Sequence, residues 1–229
     1  MPEPIENVID RKNRTHAGLV KLMKLIAEVR YISQEQLNRY NKERYIKQIG
    51  TKTWLAWLVK NEHLGLTENG GYYATLNSLE WLKAQGVNTE YMMKRPKRGE
   101  FEKHQQTLTD VILDYYFGPD YFATCYPSFV NPDNSPWFDP DALVIHRHES
   151  DKAEYIKLTF IEVENAKPDW HQHLLKKREN YEELAKSKRA FEWWERWSKK
   201  LKLEAGRIED FCFSVKCHGD FNADWEGWE

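Results

Sequence analysis

Asp139-Pro-Asp-Ala-Leu-Val-Ile-His146 and Tyr155-Ile-Lys-Leu-Thr-Phe-Ile-Glu-Val-Glu164 are two apolar runs separated by a polar stretch over residues 148–154. Both are short, rich in β-branched and aromatic residues and bounded by turn formers, which is the pattern of strands. Folded as an antiparallel hairpin centred on Asp151, they oppose Asp141 to Glu162, Leu143 to Phe160 and Ile145 to Leu158. Side chains alternate along a strand, so Asp141, Leu143 and Ile145 share a face, as do Ile156, Leu158, Phe160, Glu162 and Glu164. One register therefore buries the whole apolar face. It also gathers Asp141, Glu162 and Glu164 at its end, where opposed Cβ atoms lie about 4.5 to 5.5 Å apart and like charges repel. Such a cluster calls for a divalent cation, a basic partner or open solvent. Oxygen-only ligands of this kind suit magnesium or manganese better than zinc.

Outward from this hairpin the pattern stays mixed. A helix is predicted from Phe101 to Tyr116, with Leu108, Ile112 and Tyr115/Tyr116 on one side, followed by a strand over Tyr121 to Tyr126. After the hairpin come a long helix from about Trp170 to Leu203 and a final strand over Phe211 to Val215. The order α-β-β-β-α-β describes an α/β (α+β) sandwich in which helices cover a mixed sheet.

Before it, residues 94–100 (Lys94-Arg-Pro-Lys-Arg-Gly-Glu100) combine basic charge with Pro and Gly, as linkers do. Residues 1–15 read as a flexible N-terminus, 16–93 as one domain, 94–100 as a basic linker, 101–217 as a second domain and 218–229 as an acidic tail. In the first domain Leu19, Leu22, Leu25, Ile26 and Val29 recur at helical spacing, and Ser33-Gln-Glu-Gln36 reads as a capping box that opens a short helix. A third helix follows Gly50-Thr51, with Trp54, Leu55 and Leu58 inward and Lys52, Thr53, Ala56, Trp57 and Lys60 outward. Leu64-Gly-Leu66, the turn Glu68-Asn-Gly-Gly71 and Tyr72-Tyr-Ala-Thr-Leu76 form a hairpin signal, and a helix from Ser78 to Gln85 closes the unit. Three helices and a hairpin in this order describe a winged helix-turn-helix, whose third helix enters a DNA groove.

Charge supports that reading. Residues 1–100 carry 17 basic and 11 acidic side chains, a net +6, whereas residues 101–229 carry 17 and 25, a net −8, within a chain of net charge −2. Between Arg11 and Lys60 stand twelve basic residues and three acids, a surface suited to phosphates. The DNA-contact candidates are Lys47, Thr51, Lys52, Thr53 and Lys60, with Lys94, Arg95, Lys97 and Arg98 of the linker. Winged helices also serve as protein-docking modules, and Lys-rich helix faces are often simply solvated. Cys125, Cys212 and Cys217 are an odd set without a close pair, which argues against a disulfide framework or a zinc ribbon and fits a reducing cytoplasm. No run approaches the roughly 18 to 20 apolar residues of a membrane span, and the start lacks a signal-peptide pattern. His146/His148 and His171/His173 read as surface histidines, and the basic residues of the long helix interleave with Glu179, Glu182 and Glu183 as on a salt-bridged surface.

Asp139-Pro-Asp141, twenty intervening residues and Glu162-Val-Glu164 within α-β-β-β-α-β resemble the PD-(D/E)XK nuclease-like superfamily over about residues 101–217. The chain is more closely similar to one branch. That likeness rests on a winged helix ahead of the core, His104-Gln-Gln-Thr-Leu-Thr-Asp110 on the first helix, Pro140-Asp-Ala142, Glu162-Val-Glu164, and Lys177 and Tyr181 four apart on the next helix. Together these resemble the replication-relaxation family of plasmids and integrative elements, associated with starting plasmid replication. The resemblance implies Asp141, Glu162 and Glu164 as catalytic and metal-holding acids for Mg²⁺ or Mn²⁺. Where the superfamily has Lys this chain has Glu164, so the assisting lysine falls to Lys167 or Lys177. Three functions stay open: a DNA-binding protein of a mobile element acting in replication initiation or in processing DNA for transfer, a metal-dependent endonuclease, and a winged-helix regulator with a non-catalytic nuclease-like domain. The partners expected are double-stranded DNA, a second copy of the chain and replication or transfer proteins, with no membrane.

Overall fold

The computed structural model describes residues 5–43, 52–92, 102–149, 154–164, 170–187, 189–203, 211–219 and 224–225. It is a mixed α and β fold that divides into two units, Met1–Gly99 and Glu100–Glu229. Among the described residues no helix is long and apolar enough to cross a membrane.

In the first unit, α1 (Ile5–Val29) buries Leu22, Leu25, Ile26 and Val29, one stripe at helical spacing. Each such side chain contributes about 1.5 to 3 kcal/mol of apolar burial before entropy is counted. The helix begins at Ile5, so residues 5–15 are helical and are not the frayed segment expected. It stops at Arg30, whose φ of 64° is left-handed. Then α2 (Gln34–Glu43) opens on the expected box: the Gln36 N–H donates to Ser33 Oγ at 3.1 Å, and the Ser33 N–H donates to Gln36 Oε1 at 2.9 Å.

Helix α3 (Lys52–Lys60) buries Leu55 and Leu58, but Trp54, expected inward, is 38% exposed. Two leucines three apart fill the inner stripe of so short a helix and leave the indole at its margin. The hairpin of β1 (Leu64–Leu66) and β2 (Tyr72–Ala74) turns at Gly70, whose φ of 82° favours glycine. Ile32 and Tyr72 exchange both backbone hydrogen bonds at 2.9 Å, so the segment between α1 and α2 is stitched to the hairpin. Next to it a side chain at Gly71 would collide with the Tyr31 ring, which explains a second glycine there. Helix α4 (Leu76–Ala84) is N-capped by Thr75, which forms a capping box with Ser78.

In the second unit, α5 (Glu102–Tyr116) precedes β3 (Tyr121–Cys125), the small hairpin β4 (Phe129–Val130) and β5 (Pro136–Phe138), then β6 (Ala142–Glu149) and β7 (Glu154–Glu164). Helices α6 (Trp170–Lys186) and α7 (Arg189–Leu201) lead to β8 (Phe211–Gly219) and β9 (Asp224–Trp225). The main sheet runs β3-β6-β7-β8-β9, antiparallel except for the parallel β7–β8 pair. The β6–β7 register is the one expected: Leu143 opposes Phe160 and Ile145 opposes Leu158.

The single long helix expected over 170–203 is two helices. The strand expected to end at Val215 continues to Gly219, and residues 224–225 pair with it, so part of the supposed acidic tail belongs to the sheet. The β4–β5 hairpin was not anticipated. Tyr115 meets His146 on one face of the sheet, while Tyr181 and Trp193 meet Phe160, which alternation puts on the other. The sheet is therefore sandwiched, with α5 on one side and α6 and α7 on the side that carries Glu162.

Candidate functional site: a lysine-bridged acid pair

Asp141 stands one residue before β6. Its Oδ2 accepts the Val163 N–H at 2.8 Å, so a side chain takes the place of the next backbone rung and fixes the carboxylate at the end of the ladder. Glu162 lies in β7 on the face packed by α6 and is 1% exposed. Lys177 and Tyr181, four apart on α6, project from one side of that helix. The Lys177 ammonium donates to Glu162 Oε2 at 2.5 Å and stands 3.7 Å from Asp141 Oδ2. The Tyr181 hydroxyl donates to Glu162 Oε1 at 2.6 Å. From the start of α5, His104 Nε2 lies 3.2 Å from Asp141 Oδ1. All four oxygens of the two acids thus have protein partners.

The walls are aromatic. The fully buried Tyr181 ring lies 5.2 Å from Phe138 and 5.4 Å from Phe160, and Trp137 Nε1 donates to Asn180 Oδ1 at 3.2 Å, which ties the β4–β5 hairpin to α6. In this setting the two acids separate. Burial, reinforced by the negative charge of Asp141, pushes the Glu162 carboxyl up to about 8 against the opposing pull of Lys177 and Tyr181. Burial also works against an ionised Asp141, but the His104 hydrogen bond, the Lys177 charge and the Val163 N–H outweigh it and hold that group at about 2.

With both acids ionised and His104 neutral, one ammonium faces two carboxylates and a negative charge is left over. A proton on Glu162, a proton on His104 or a further cation balances it. The donors on offer from Asp141 and Glu162 are all oxygen, the chemistry magnesium and manganese take. These two acids would hold such an ion, and Glu164 is the last residue of the same strand. Among the described residues no three His, Cys, Asp or Glu side chains form a metal-ligand group.

Of the sequence candidates, Asp141, Glu162 and Lys177 come together. The side chain of Glu164 lies outside the described residues, as does the whole of Lys167. Lys47, Thr51, Lys94, Arg95, Lys97 and Arg98 lie outside them too. Lys52 and Thr53 stand in the first turn of α3, and their side chains are likewise not described. Lys60 is exposed at the end of that helix. Sequence reasoning gave no role to His104 or Tyr181, which complete the cluster. Both stood in the motifs that carried the resemblance, Tyr181 four residues from Lys177 and His104 at the head of His104-Gln-Gln-Thr-Leu-Thr-Asp110, but no spacing links His104 to its partner 37 positions away. No protein-family model, no curated protein and no solved structure matches this chain.

Proposed function

We propose that the chain is a DNA-binding protein of a mobile genetic element, of the replication-relaxation kind, with an N-terminal winged helix and a nuclease-like second unit. It acts in the cytoplasm, in plasmid replication initiation or in preparing DNA for transfer, as a homodimer that reads paired half-sites. The observation that carries this reading is the first unit's order of α1, α2, α3 and hairpin, with Ile32 bridged to Tyr72 so that the turn region and the hairpin form one platform. Twelve basic residues against three acids between Arg11 and Lys60 give this stretch of the sequence the charge that phosphates require.

The test is titration of a labelled duplex at several salt concentrations. Lys52→Ala combined with Lys60→Ala weakens binding and lowers the slope of log affinity against log salt by about 1 to 2. Parent-like affinity and slope in the double variant would remove the assignment of α3 to DNA.

The convergence of Asp141, Glu162 and Lys177 supports a second reading, phosphodiester cleavage. A divalent ion held by the acids would stabilise charge on the phosphoryl oxygens. In that reading Lys177 orients the attacking water by hydrogen bonding, Tyr181 holds Glu162 in place, and His104 holds Asp141. Supercoiled plasmid incubated with Mg²⁺ or Mn²⁺ is nicked by the parent and not by Glu162→Ala. Intact plasmid in both, or equal nicking by both, excludes this activity.

A further inference from the structure

The described side chains on the outer face of α3 offer little that reads base edges. Discrimination in a major groove rests chiefly on guanidinium, amide and ammonium groups. Among the described side chains, this face instead offers Ala56, Trp57 and Lys60, with Trp57 50% and Trp54 38% exposed. The two indoles stand edge to face with centroids 6.1 Å apart. Trp57 is also stacked on His63, 22° from parallel at 6.1 Å, so it is backed by a ring while half of it stays open. The Asn61 side-chain amide turns back to the Trp57 carbonyl at 2.8 Å and closes the helix end beneath it. An indole held in place and left in water suits a flat, apolar occupant.

Charge decides between occupants. A second copy of this unit would bring together two units of like net charge, because residues 1–100 carry 17 bases and 11 acids. A nucleic-acid strand brings flat rings and the opposite charge together. In a duplex the faces of the bases are already stacked on one another; in an unpaired strand they are open to aromatic side chains.

We propose that the outer face of α3 is a stacking platform for unpaired nucleotides, with a base on the open face of Trp57 and the flanking phosphates on Lys60 and the other basic residues of this unit. The inference rests on the reading of the first unit as a DNA-binding module and adds to its duplex binding a site for melted or single-stranded DNA.

The test uses the full chain, a labelled oligothymidylate and a blunt duplex of matched length, followed by anisotropy at fixed low salt. Trp57→Ala weakens oligothymidylate binding about tenfold or more, in line with the loss of one base-stacking contact, and shifts duplex affinity by less than about twofold. Trp57→Leu, which keeps apolar bulk without the indole, shows the same loss, and Trp57→Phe recovers most of it. Trp57 is half exposed, so thermal melting of these variants stays close to the parent's. If the parent binds duplex but Trp57→Ala binds oligothymidylate as well as the parent, the platform is wrong and the DNA-binding reading stands. An equal loss on both DNAs, or a dimer that Trp57→Ala turns into monomer in sedimentation without loss of single-strand binding, also overturns the platform. A parent that binds neither DNA overturns both readings.

Discussion

Lys177→Met lowers the folding stability of the chain by about 3 kcal/mol at pH 9, above the titration of Glu162 near 8, the lower end of the cost of breaking a buried ion pair, and Glu162→Gln in the same chain restores most of it. The reason is the bridge: one ammonium lies 2.5 Å from Glu162 Oε2 and 3.7 Å from Asp141 Oδ2. Methionine keeps the length of the side chain and removes the charge, which leaves two acids facing each other at the end of a ladder. Glu162 has no exposed side-chain surface, so water cannot screen it. The lower figure applies because Lys177 and Asp141 keep 23% and 19% of their side-chain surface in contact with solvent. Chemical denaturation of the four chains of the double-mutant cycle measures the coupling, and additive single effects would refute the bridge. Millimolar magnesium raises the midpoint of Lys177→Met if the acids accept a divalent ion, and leaves it in place if they do not.

The second large effect is on the pH dependence of stability. The carboxyl of Glu162 titrates near 8 in the folded chain and near its ordinary value of 4.5 when unfolded. Between these values the folded state holds a proton that the unfolded state has released, so stability falls as pH rises. The contribution is fully present below 4.5 and is lost as pH rises through about 8, with a slope of up to about 1.4 kcal/mol per pH unit. Asp141 acts in the opposite sense. Its folded-state value of about 2 lies below the ordinary 3.8, so its contribution is lost as pH falls through that acid range. Stability profiles of the parent and of Glu162→Gln therefore diverge across the neutral range, with the parent sloping downward and the variant flatter. Parallel profiles would mean that Glu162 stays ionised throughout, bound to Lys177 as a simple salt bridge.

The parts of the fold that were legible are those where a local rule had no competitor. The β6–β7 register followed from alternation alone, because a slip of one residue would have turned Phe160 and Leu158 to the wrong face. The Ser33–Gln36 box and the Gly70 turn are short-range chemistry that reads the same in a sequence and in a fold. The break between α6 and α7 has no such marker: the stretch from Ala185 to Ala190 contains neither Gly nor Pro, and the end of α6 is marked instead by Ser187, whose N–H and hydroxyl both turn to the Leu184 carbonyl. The β4–β5 hairpin escaped because its strands are too short to show alternation, although Pro132-Asp-Asn134 is a turn signal; its place is fixed by distant rings, with Phe129 stacked on Phe138 at 4.9 Å and 5.0 Å from Trp193.

In the site, strand alternation put Asp141 and Glu162 side by side, but the ammonium arrives from a helix beyond the sheet. No spacing rule distinguishes Lys177 from Lys167 or its neighbours. That choice is made by how α6 crosses the strand.

The parallel partner of β7 has a consequence for how the chain comes off the ribosome. The β6–β7 hairpin closes locally, so it forms as soon as both strands emerge. Its far edge, Ile156 to Glu164, pairs with Phe211 to Gly219, which is made only after α6 and α7. Until then a long, largely apolar strand presents an open row of backbone donors and acceptors, the template on which chains stick to one another. Distant pairings also form slowly, which prolongs that interval. During synthesis the shielding of this edge falls to α6 and α7 folding over the neighbouring face, and a strand translated after them is the one that makes the nascent chain safe from its own copies.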